Sequence, residues 1–341
     1  MQGDPRQRRV ENGFAPDPLN LLVKTIVGSS DMSNDSHVHC GTSIHHPTEC
    51  ADEQHEGGSL DLAPLRECIA QAVRDVKSKT PLAQSFTNFV TINLVANAQL
   101  AAGGTAAMSF LPDDVIDTAA ISGADYINVG TLLPFYKDAL PQIARAFHKN
   151  GHRWVLDPVA AGIGKTRTEI LRAFRAAPPT IVRGNASEII ALATMWGLIS
   201  PDEASRPAGV ESVDDVDAAV GPAKKLAQFL ADAAPDHQAA VAVSGAVDLV
   251  TDGAQVYRLP GGSALMAKIT GAGCSLGGVT ATYLAVAEPL TAALAASLLY
   301  NRAGEIAEAK AEGPGSFQVH LLDALWNLTP EQVSSSPITV G

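Results

Sequence analysis

The stretch of the chain best suited to chemistry is the glycine-rich sequence KITGAGCSLGG at residues 268–278. Gly271, Ala272 and Gly273 are small, so the backbone can turn tightly there and direct several N–H groups at one point. The apolar sequence that follows, 276–286, predicts a helix, whose unpaired N–H groups and positive dipole end would lie at the same point. This arrangement is typical of an anion site, and a phosphoryl group in transfer is an anion. A tight turn packed against a sheet is the alternative interpretation.

Cys274 lies at the predicted mouth of that helix. The positive end of a helix dipole favours a thiolate, so we expect the pKa of this thiol to fall below the usual value of about 8.5. The alternative is a small side chain in the core, an environment in which cysteine is common.

Two acidic residues follow predicted strands and could hold a metal ion. Phosphoryl transfer from a nucleotide needs a hard cation on the phosphates, held by one or two carboxylates. Asp157 and Glu188 fall at the carboxyl edge of the predicted sheet, so either could bind Mg²⁺ or its water ligands. A turn-forming Asp and a Glu in the first turn of a helix are the alternatives.

Two further polar residues close to Glu188 in the sequence could contact a nucleotide. Arg183 ends a predicted strand, where its guanidinium could bind phosphate oxygens, and a structural ion pair is the alternative. Asn185 precedes the predicted helix 186–196 and could simply cap it.

Several apolar side chains are predicted to end the early strands, where they could line a pocket for a flat ring. Met108 is the most adaptable of them, although methionine in a strand is often a core residue. The spacing of Asn93 and Asn97 places both on one face of a nearby predicted helix. The strand-end residues are Met108, Phe110, Val129 and Leu132.

Helical and strand patterns alternate from residue 62 onward, which predicts a mostly parallel sheet with helices on both faces. Ligands of such sheets bind beyond the carboxyl ends of the strands. The polar and glycine-rich sequences do follow the strands, at 128–131, 157–158, 183–185, 244–245 and 270–273. Late in the chain, 249–251 and 256–259 flank Asp252-Gly253 and predict a hairpin, and the sequence from 275 to 327 is predicted to be helical.

The first 60 residues differ in composition from the rest. Residues 1–60 are rich in polar residues, glycine and proline, which predicts a disordered extension, followed by one domain over 61–335. A loop is predicted at 199–212. Imidazole and thiolate groups in the extension could bind zinc, and a solvated tail is the alternative. These residues are His37, His39, Cys40, His45, His46, Cys50 and His55.

Composition limits the classes of partner. The chain has 341 residues and a net charge of −12, which argues against nucleic acid and anionic membranes as main partners. No apolar stretch reaches the roughly 18 residues of a membrane-spanning helix. Four cysteines in a chain of this length do not predict a disulfide framework, so we expect a reducing, cytoplasmic setting.

Five motifs, in this order along the chain, resemble hydroxyethylthiazole kinase, the thiamine-pathway family of the ribokinase-like superfamily. The resemblance extends from about residue 81 to residue 322. The motifs are TNFVTINLVAN at 87–97, NVGT at 128–131, VLDPV at 155–159, RGNASEI at 183–189 and TGAGC at 270–274.

The resemblance implies a ribokinase-like three-layer α/β/α fold and the phosphorylation of 4-methyl-5-(2-hydroxyethyl)thiazole on its hydroxyl group, with ATP and Mg²⁺. It also implies a homotrimer with active sites between subunits. The implied roles are thiazole binding by Met108, Asn88, Asn93 and Gly271, nucleotide binding by Arg183, Ser244 and Asn185, metal binding by Asp157 and Glu188, and catalysis by Cys274 with Gly271, Ala272 and Gly273.

Two departures affect these roles. Most ribokinase-like enzymes have an Asp, the obvious proton acceptor, where this chain has Cys274. Because a dissociative transfer needs little help from a base, we expect Cys274 to position the hydroxyl while N–H groups of 271–273 stabilise charge. Ala246 replaces a residue that is usually acidic in the family. A kinase for another small alcohol, such as hydroxymethylpyrimidine or a sugar, and a non-catalytic thiazole-binding relative are the alternatives.

Overall fold

The structure is a computed structural model that describes residues 61–204 and 216–341. The predicted extension, with its histidine and cysteine residues, lies outside the described residues, and so does most of the loop predicted at 199–212. The division into a disordered extension at 1–60 and one domain at 61–335 therefore stays a prediction.

Among the described residues, nine strands form one sheet in the order β2-β1-β3-β4-β5-β6-β7-β8-β9. They are β1 (Leu82–Phe86), β2 (Thr105–Met108), β3 (Ala124–Asn128), β4 (Trp154–Asp157), β5 (Ile181–Asn185), β6 (Ala240–Ser244), β7 (Val247–Thr251), β8 (Val256–Pro260) and β9 (Thr339–Val340). The first six in sequence are parallel, and the last three run antiparallel to their neighbours. The predicted mostly parallel sheet and its late hairpin, β7–β8, are confirmed.

Helices cover both faces of this sheet, as predicted. They are α1 (Ala63–Lys79), α2 (Ile92–Ala102), α3 (Pro112–Thr118), α4 (Tyr136–Asn150), α5 (Lys165–Phe174), α6 (Ala186–Met195), α7 (Pro201–Ala204), α8 (Val216–Ala233), α9 (Ala272–Leu284), α10 (Pro289–Glu308), α11 (Pro314–Asn327) and α12 (Pro330–Ser334). One layer contains α1, α2 and α9–α12, and the other contains α3–α6 and α8. The described part of the chain has no helix that is both long and apolar enough to cross a bilayer.

Alternate residues of the central strands face the two helical layers. In β3, Tyr126 packs in the core beneath α9, and its neighbour Ile127 packs in the core beneath α4. A strand that is buried on both faces needs a continuous apolar sequence, and β3 and β4 are buried along their whole length. Polar residues are therefore conspicuous where such strands end, as at Asn128 and Asp157.

The structure corrects the region around the glycine-rich turn. The helix after the turn begins at Ala272, three residues before its predicted start, because Gly271 takes the left-handed conformation that allows an immediate helix start. A 3₁₀ helix at Ala264–Lys268, which was not predicted, precedes the turn, and Ile269 after it is extended. The short elements α12 and β9 were not predicted, because a segment of two to five residues carries too little periodic pattern.

Candidate active site

The glycine-rich turn forms the N-terminal cap of α9. Gly271 has a φ of 93°, a conformation that favours glycine. A Cβ atom at Gly271 would lie 2.8 Å from both Cβ and Cγ2 of Thr91, so glycine is also needed there for space. The first N–H groups of the helix, at residues 272–274, have no acceptor within the helix and are available to an anion.

Close packing of α9 on β3 brings Cys274 against the sheet. A Cβ atom at Gly277 would lie 2.4 Å from the Tyr126 ring, so only glycine permits this approach. Cys274 precedes Gly277 by three residues and therefore shares its helix face. The Cys274 sulfur lies 3.3 Å from Asn128 Nδ2 and 3.7 Å from Asn88 Nδ2.

A buried network of polar side chains surrounds this sulfur. Asn128 Nδ2 lies 2.9 Å from the Tyr126 hydroxyl and 2.9 Å from Asp157 Oδ2, and the Tyr126 hydroxyl donates to the same Asp157 oxygen at 2.9 Å. Asn128 Oδ1 accepts from Gly130 N at 2.8 Å and from Asn88 Nδ2 at 3.1 Å. The parallel register pairs Asn128 with Asp157 at the ends of β3 and β4, which is why the two side chains meet.

The prediction of a low pKa for Cys274 is wrong. Burial raises the pKa of the Cys274 thiol, and the charge of Asp157 raises it further. The nearby Thr91 hydroxyl, the hydrogen bond from Asn128 and the charge of Arg183 act in the opposite direction but do not reverse the shift. The free-energy cost of burying a thiolate is therefore larger than the stabilisation that the positive end of the helix dipole gives it. Cys274 is a neutral thiol at neutral pH.

Asp157 and Glu188 both lie at the carboxyl edge of the sheet. Burial raises the pKa of Asp157 to about 6, with Arg183 opposing the shift and Glu188 adding to it. Glu188 accepts hydrogen bonds from Ala160 N and Asn185 N, each at 2.9 Å, and so joins the segment after β4 to the start of α6.

This pair of carboxylates suits a divalent cation, which would relieve the repulsion between Glu188 and the buried Asp157. Within residues 61–204 and 216–341, no three His, Cys, Asp or Glu side chains are grouped as ligands for a metal. A Mg²⁺ ion at this edge would therefore complete its coordination with water and phosphate oxygens, as this ion commonly does.

Asn185 caps α6. Its Oδ1 accepts hydrogen bonds from Glu188 N at 2.9 Å and from Ser187 Oγ at 2.7 Å. The Glu188 carboxylate in turn accepts a hydrogen bond from Asn185 N. The interpretation of Asn185 as a helix cap is confirmed, and its contact with a nucleotide stays a prediction.

Arg183 joins β5 to the glycine-rich turn. Its Nη1 donates to the Gly273 carbonyl at 2.9 Å, and its Nη2 donates to Ser244 Oγ. The side chain is almost fully buried, and its Nε has no hydrogen-bond partner among the described residues. A cavity of about 680 Å³, large enough for a nucleotide, lies beside this group. Its lining includes Arg183, Ser244, Asp248, Gly273, Tyr300 and Asn301.

The apolar residues expected to line one pocket divide between the two cores, and a pocket that they share stays a prediction. Met108 ends β2 and packs against the core beneath α9. The others lie in the segments that follow β2 and β3, and they pack with the core beneath α4. They are Phe110, Val129 and Leu132.

Asn93 is exposed on α2, and its Oδ1 and carbonyl oxygen accept from Asn97 Nδ2 at 3.1 Å and 2.9 Å. The shared face of these two residues is confirmed. The thiazole contacts of Asn93 and Met108 stay predictions.

The structure therefore brings together Asn88, Asp157, Arg183, Ser244 and the turn with Cys274. Sequence reasoning did not assign Thr91, Tyr126 or Asn128 to the site. One signal was available for Asn128, since it is a polar residue at the end of a buried strand, in a motif already noted as following that strand.

Residues 73–331 match the family model described as the hydroxyethylthiazole kinase family. A hydroxyethylthiazole kinase of Bifidobacterium adolescentis is 74% identical over 280 residues, which cover 81% of this chain and 95% of that protein. One from Cereibacter sphaeroides is 41% identical over 256 residues, covering 75% of this chain and 92% of that protein.

A solved structure also shows similarity to a hydroxyethylthiazole kinase. The hydroxyethylthiazole kinase protein of Pyrococcus horikoshii aligns with a TM-score of 0.68 at 30% identity, over 81% of this chain and 99% of that one. The expected ribokinase-like architecture, with its mostly parallel sheet between two helical layers, is confirmed. This chain belongs to the hydroxyethylthiazole kinase family and is a kinase.

Proposed function

We propose that this chain transfers the γ-phosphoryl group of ATP to the hydroxyl group of 4-methyl-5-(2-hydroxyethyl)thiazole in thiamine biosynthesis or salvage, in a reducing, cytoplasmic setting. The observation that carries this proposal is the position of the Gly271 turn. The turn lies between the buried network around Cys274 and the cavity beside Arg183. An anion site between a polar network and a nucleotide-sized cavity suits phosphoryl transfer to a small alcohol.

On the acceptor side, Met108, Asn88, Asn93 and Gly271 bind the thiazole alcohol. Asn88 Oδ1 is buried and has no partner among the described residues, so it is available to accept a hydrogen bond from the hydroxyl group. The neutral Cys274 thiol positions that hydroxyl. The N–H groups at the start of α9, with Gly271, Ala272 and Gly273, stabilise the charge on the phosphoryl group.

On the nucleotide side, Arg183, Ser244 and Asn185 contact ATP. The free Nε of Arg183 and its place beside the cavity suit a contact with phosphate oxygens. Asp157 and Glu188 would hold Mg²⁺ directly or through water. When bound, the ion neutralises charge on the phosphates. Ala246 lines the cavity without a carboxylate, so the nucleotide meets less negative charge there.

The active enzyme is a homotrimer with sites between subunits. Large apolar side chains are exposed in the segments that follow β1 to β4, next to the proposed site, and such a concentration favours an interface. They include Phe89, Val90, Leu111, Phe135 and Ile163. Light scattering on the purified protein is expected to give three times the mass of the chain.

A coupled ATP assay on the full chain tests the activity. We expect magnesium-dependent turnover with the thiazole alcohol, and much lower kcat/KM with hydroxymethylpyrimidine and with ribose. The same reaction with EDTA in place of Mg²⁺ is the control.

The alternatives give different results. A preference for hydroxymethylpyrimidine or ribose would assign the chain to another small alcohol. Binding of the thiazole alcohol by calorimetry, without turnover under any condition, would identify a non-catalytic relative.

A further inference from the structure

The side-chain amide of Asn128 connects four parts of the site. It meets Asn88 after β1, Asp157 at the end of β4 and Cys274 in the first turn of α9, and it lies at the end of β3 itself. The side chain is fully buried, so these contacts are not in competition with water.

The chemistry of its neighbours determines how the amide is oriented. Gly130 N can only donate, so the oxygen of Asn128 must face it, at 2.8 Å. The ionised Asp157 carboxylate can only accept, so the nitrogen faces Asp157. The nitrogen has two hydrogens and three acceptors within reach, because the Tyr126 hydroxyl donates to Asp157 and can still accept. The Tyr126 and Asp157 oxygens lie 2.9 Å from each other and 2.9 Å from the nitrogen, so the two oxygens share one hydrogen and the other is left for the Cys274 sulfur at 3.3 Å.

We propose that Asn128 is a positioning residue for the transfer, which fixes the Cys274 sulfur and the Asp157 carboxylate relative to each other; the proposal rests on the proposed function. A cysteine side chain has three staggered positions about χ1, and a donor at 3.3 Å selects one of them. Asp157 is the proposed metal-side acid and Cys274 the proposed contact of the hydroxyl. Asn128 thus couples the nucleotide side to the acceptor side without touching either substrate.

Two substitutions test this inference. Asn128→Asp keeps the shape and the oxygen that accepts from Gly130 but loses the donor. Asn128→Ala loses the donor without adding a charge. We expect kcat to fall about 100-fold in both, mainly because the Asp157 carboxylate loses the donor that holds it, and a displacement of about 1 Å has effects of that size. KM for ATP and for the thiazole alcohol should change by less than about 3-fold, since neither substrate contact is removed.

Gln99→Glu is the matched control. Gln99 is also a buried amide that joins β1 to α9, donating to Ala83 O at 3.1 Å and Gly278 O at 3.3 Å, but it does not touch Cys274. Its kcat per folded molecule, with the folded fraction taken from urea unfolding curves, should stay within about 3-fold of wild type. Equal losses of kcat in Gln99→Glu and both Asn128 variants would reduce Asn128 to a structural residue and overturn the inference.

Alkylation of Cys274 by iodoacetamide, followed by peptide mass, gives a readout independent of turnover. We expect a reaction at least about 3-fold slower at neutral pH in Asn128→Ala, because the thiolate loses the hydrogen bond from Asn128 that lowers the pKa of the thiol, and no change in Gln99→Glu. Loss of the fold in both Asn128 variants, or wild-type kcat in either, would overturn the inference. Absence of thiazole turnover in the wild type would instead reject the proposed function, and the alkylation result would still stand.

Discussion

The two sides of the site are built in different ways. On the acceptor side, Asn88 and Asn128 are almost fully buried and hydrogen-bonded into one network that reaches Cys274 and, across the boundary, the Asp157 carboxylate. On the nucleotide side, Gly273 is exposed, and the cavity of about 680 Å³ is bordered largely by glycine, alanine and serine residues.

This difference has a consequence for substitutions. In a buried network, the loss of one member leaves its partners unpaired, so the effect of a substitution spreads to groups around the reaction centre. In an open cavity, the loss of one contact removes little more than that contact. We therefore expect changes on the acceptor side to lower kcat and changes on the nucleotide side to raise KM for ATP.

The largest effect is expected at the boundary between the two sides. Gly271→Ala should lower kcat/KM at least 100-fold, because the left-handed φ of 93° and the contact with Thr91 at 2.8 Å force the turn to move. Gly273→Ala is the control, since its Cβ would lie at an ordinary 3.5 Å from Arg183 Nη1. We expect a loss below about 10-fold there. Similar losses at both positions in the coupled assay would contradict a steric origin.

A charge-preserving change on the nucleotide side comes next. Arg183→Lys should raise KM for ATP roughly 10- to 100-fold, because the single lysine nitrogen cannot reach Gly273 O, Ser244 Oγ and the nucleotide as the three nitrogens of the planar guanidinium can. We expect kcat to stay within about 5-fold. If initial rates instead showed a loss of kcat at constant KM, Arg183 would belong to the reaction centre and the two sides would not differ as described.

A smaller effect is expected for Cys274→Ala, with kcat reduced less than about 10-fold, whereas loss of a general base typically has a 100- to 10,000-fold effect. Cys274 is the exception on the acceptor side because the raised pKa of its thiol leaves it neutral at the pH of the assay. No detectable turnover, in a variant that circular dichroism shows to be folded, would make Cys274 a base.

The pH dependence of Cys274 alkylation tests directly whether the thiol is neutral at the pH of the assay. Burial and the charge of Asp157 both raise the pKa of the thiol, so the alkylation rate should reach its midpoint at a higher pH than that of a free thiol. Asp157→Asn removes the negative charge, which favours the thiolate, and should move the midpoint to lower pH. A midpoint below that of free cysteine would restore the expectation based on the helix dipole.

The smallest effect is expected for Ser244→Ala. Its hydroxyl accepts one hydrogen bond from Arg183 at the cavity wall, so KM for ATP should rise about 2- to 10-fold with kcat unchanged. A loss as large as that of Arg183→Lys would indicate a direct and dominant contact between Ser244 and the nucleotide.

Local sequence was sufficient for the order of helices and strands, the parallel sheet, the hairpin at Asp252-Gly253 and the glycine turn before a helix. These features depend on the period of apolar residues and on backbone preferences over a few positions. The same reasoning placed Asp157, Arg183 and Ser244 at one edge of the sheet, because parallel strands end together.

Packing between distant segments determined the protonation state, the contacts and the burial of these residues. The pKa of Cys274 rises because the fold buries the thiol near Asp157, and Asn128 joins the site because the register sets it beside Asp157. Met108 ends β2 and packs against the core beneath α9, whereas Phe110, two residues beyond the end of the strand, packs against the core beneath α4. Burial and cross-strand contact are properties of residues far apart in the chain, so no local pattern contains them.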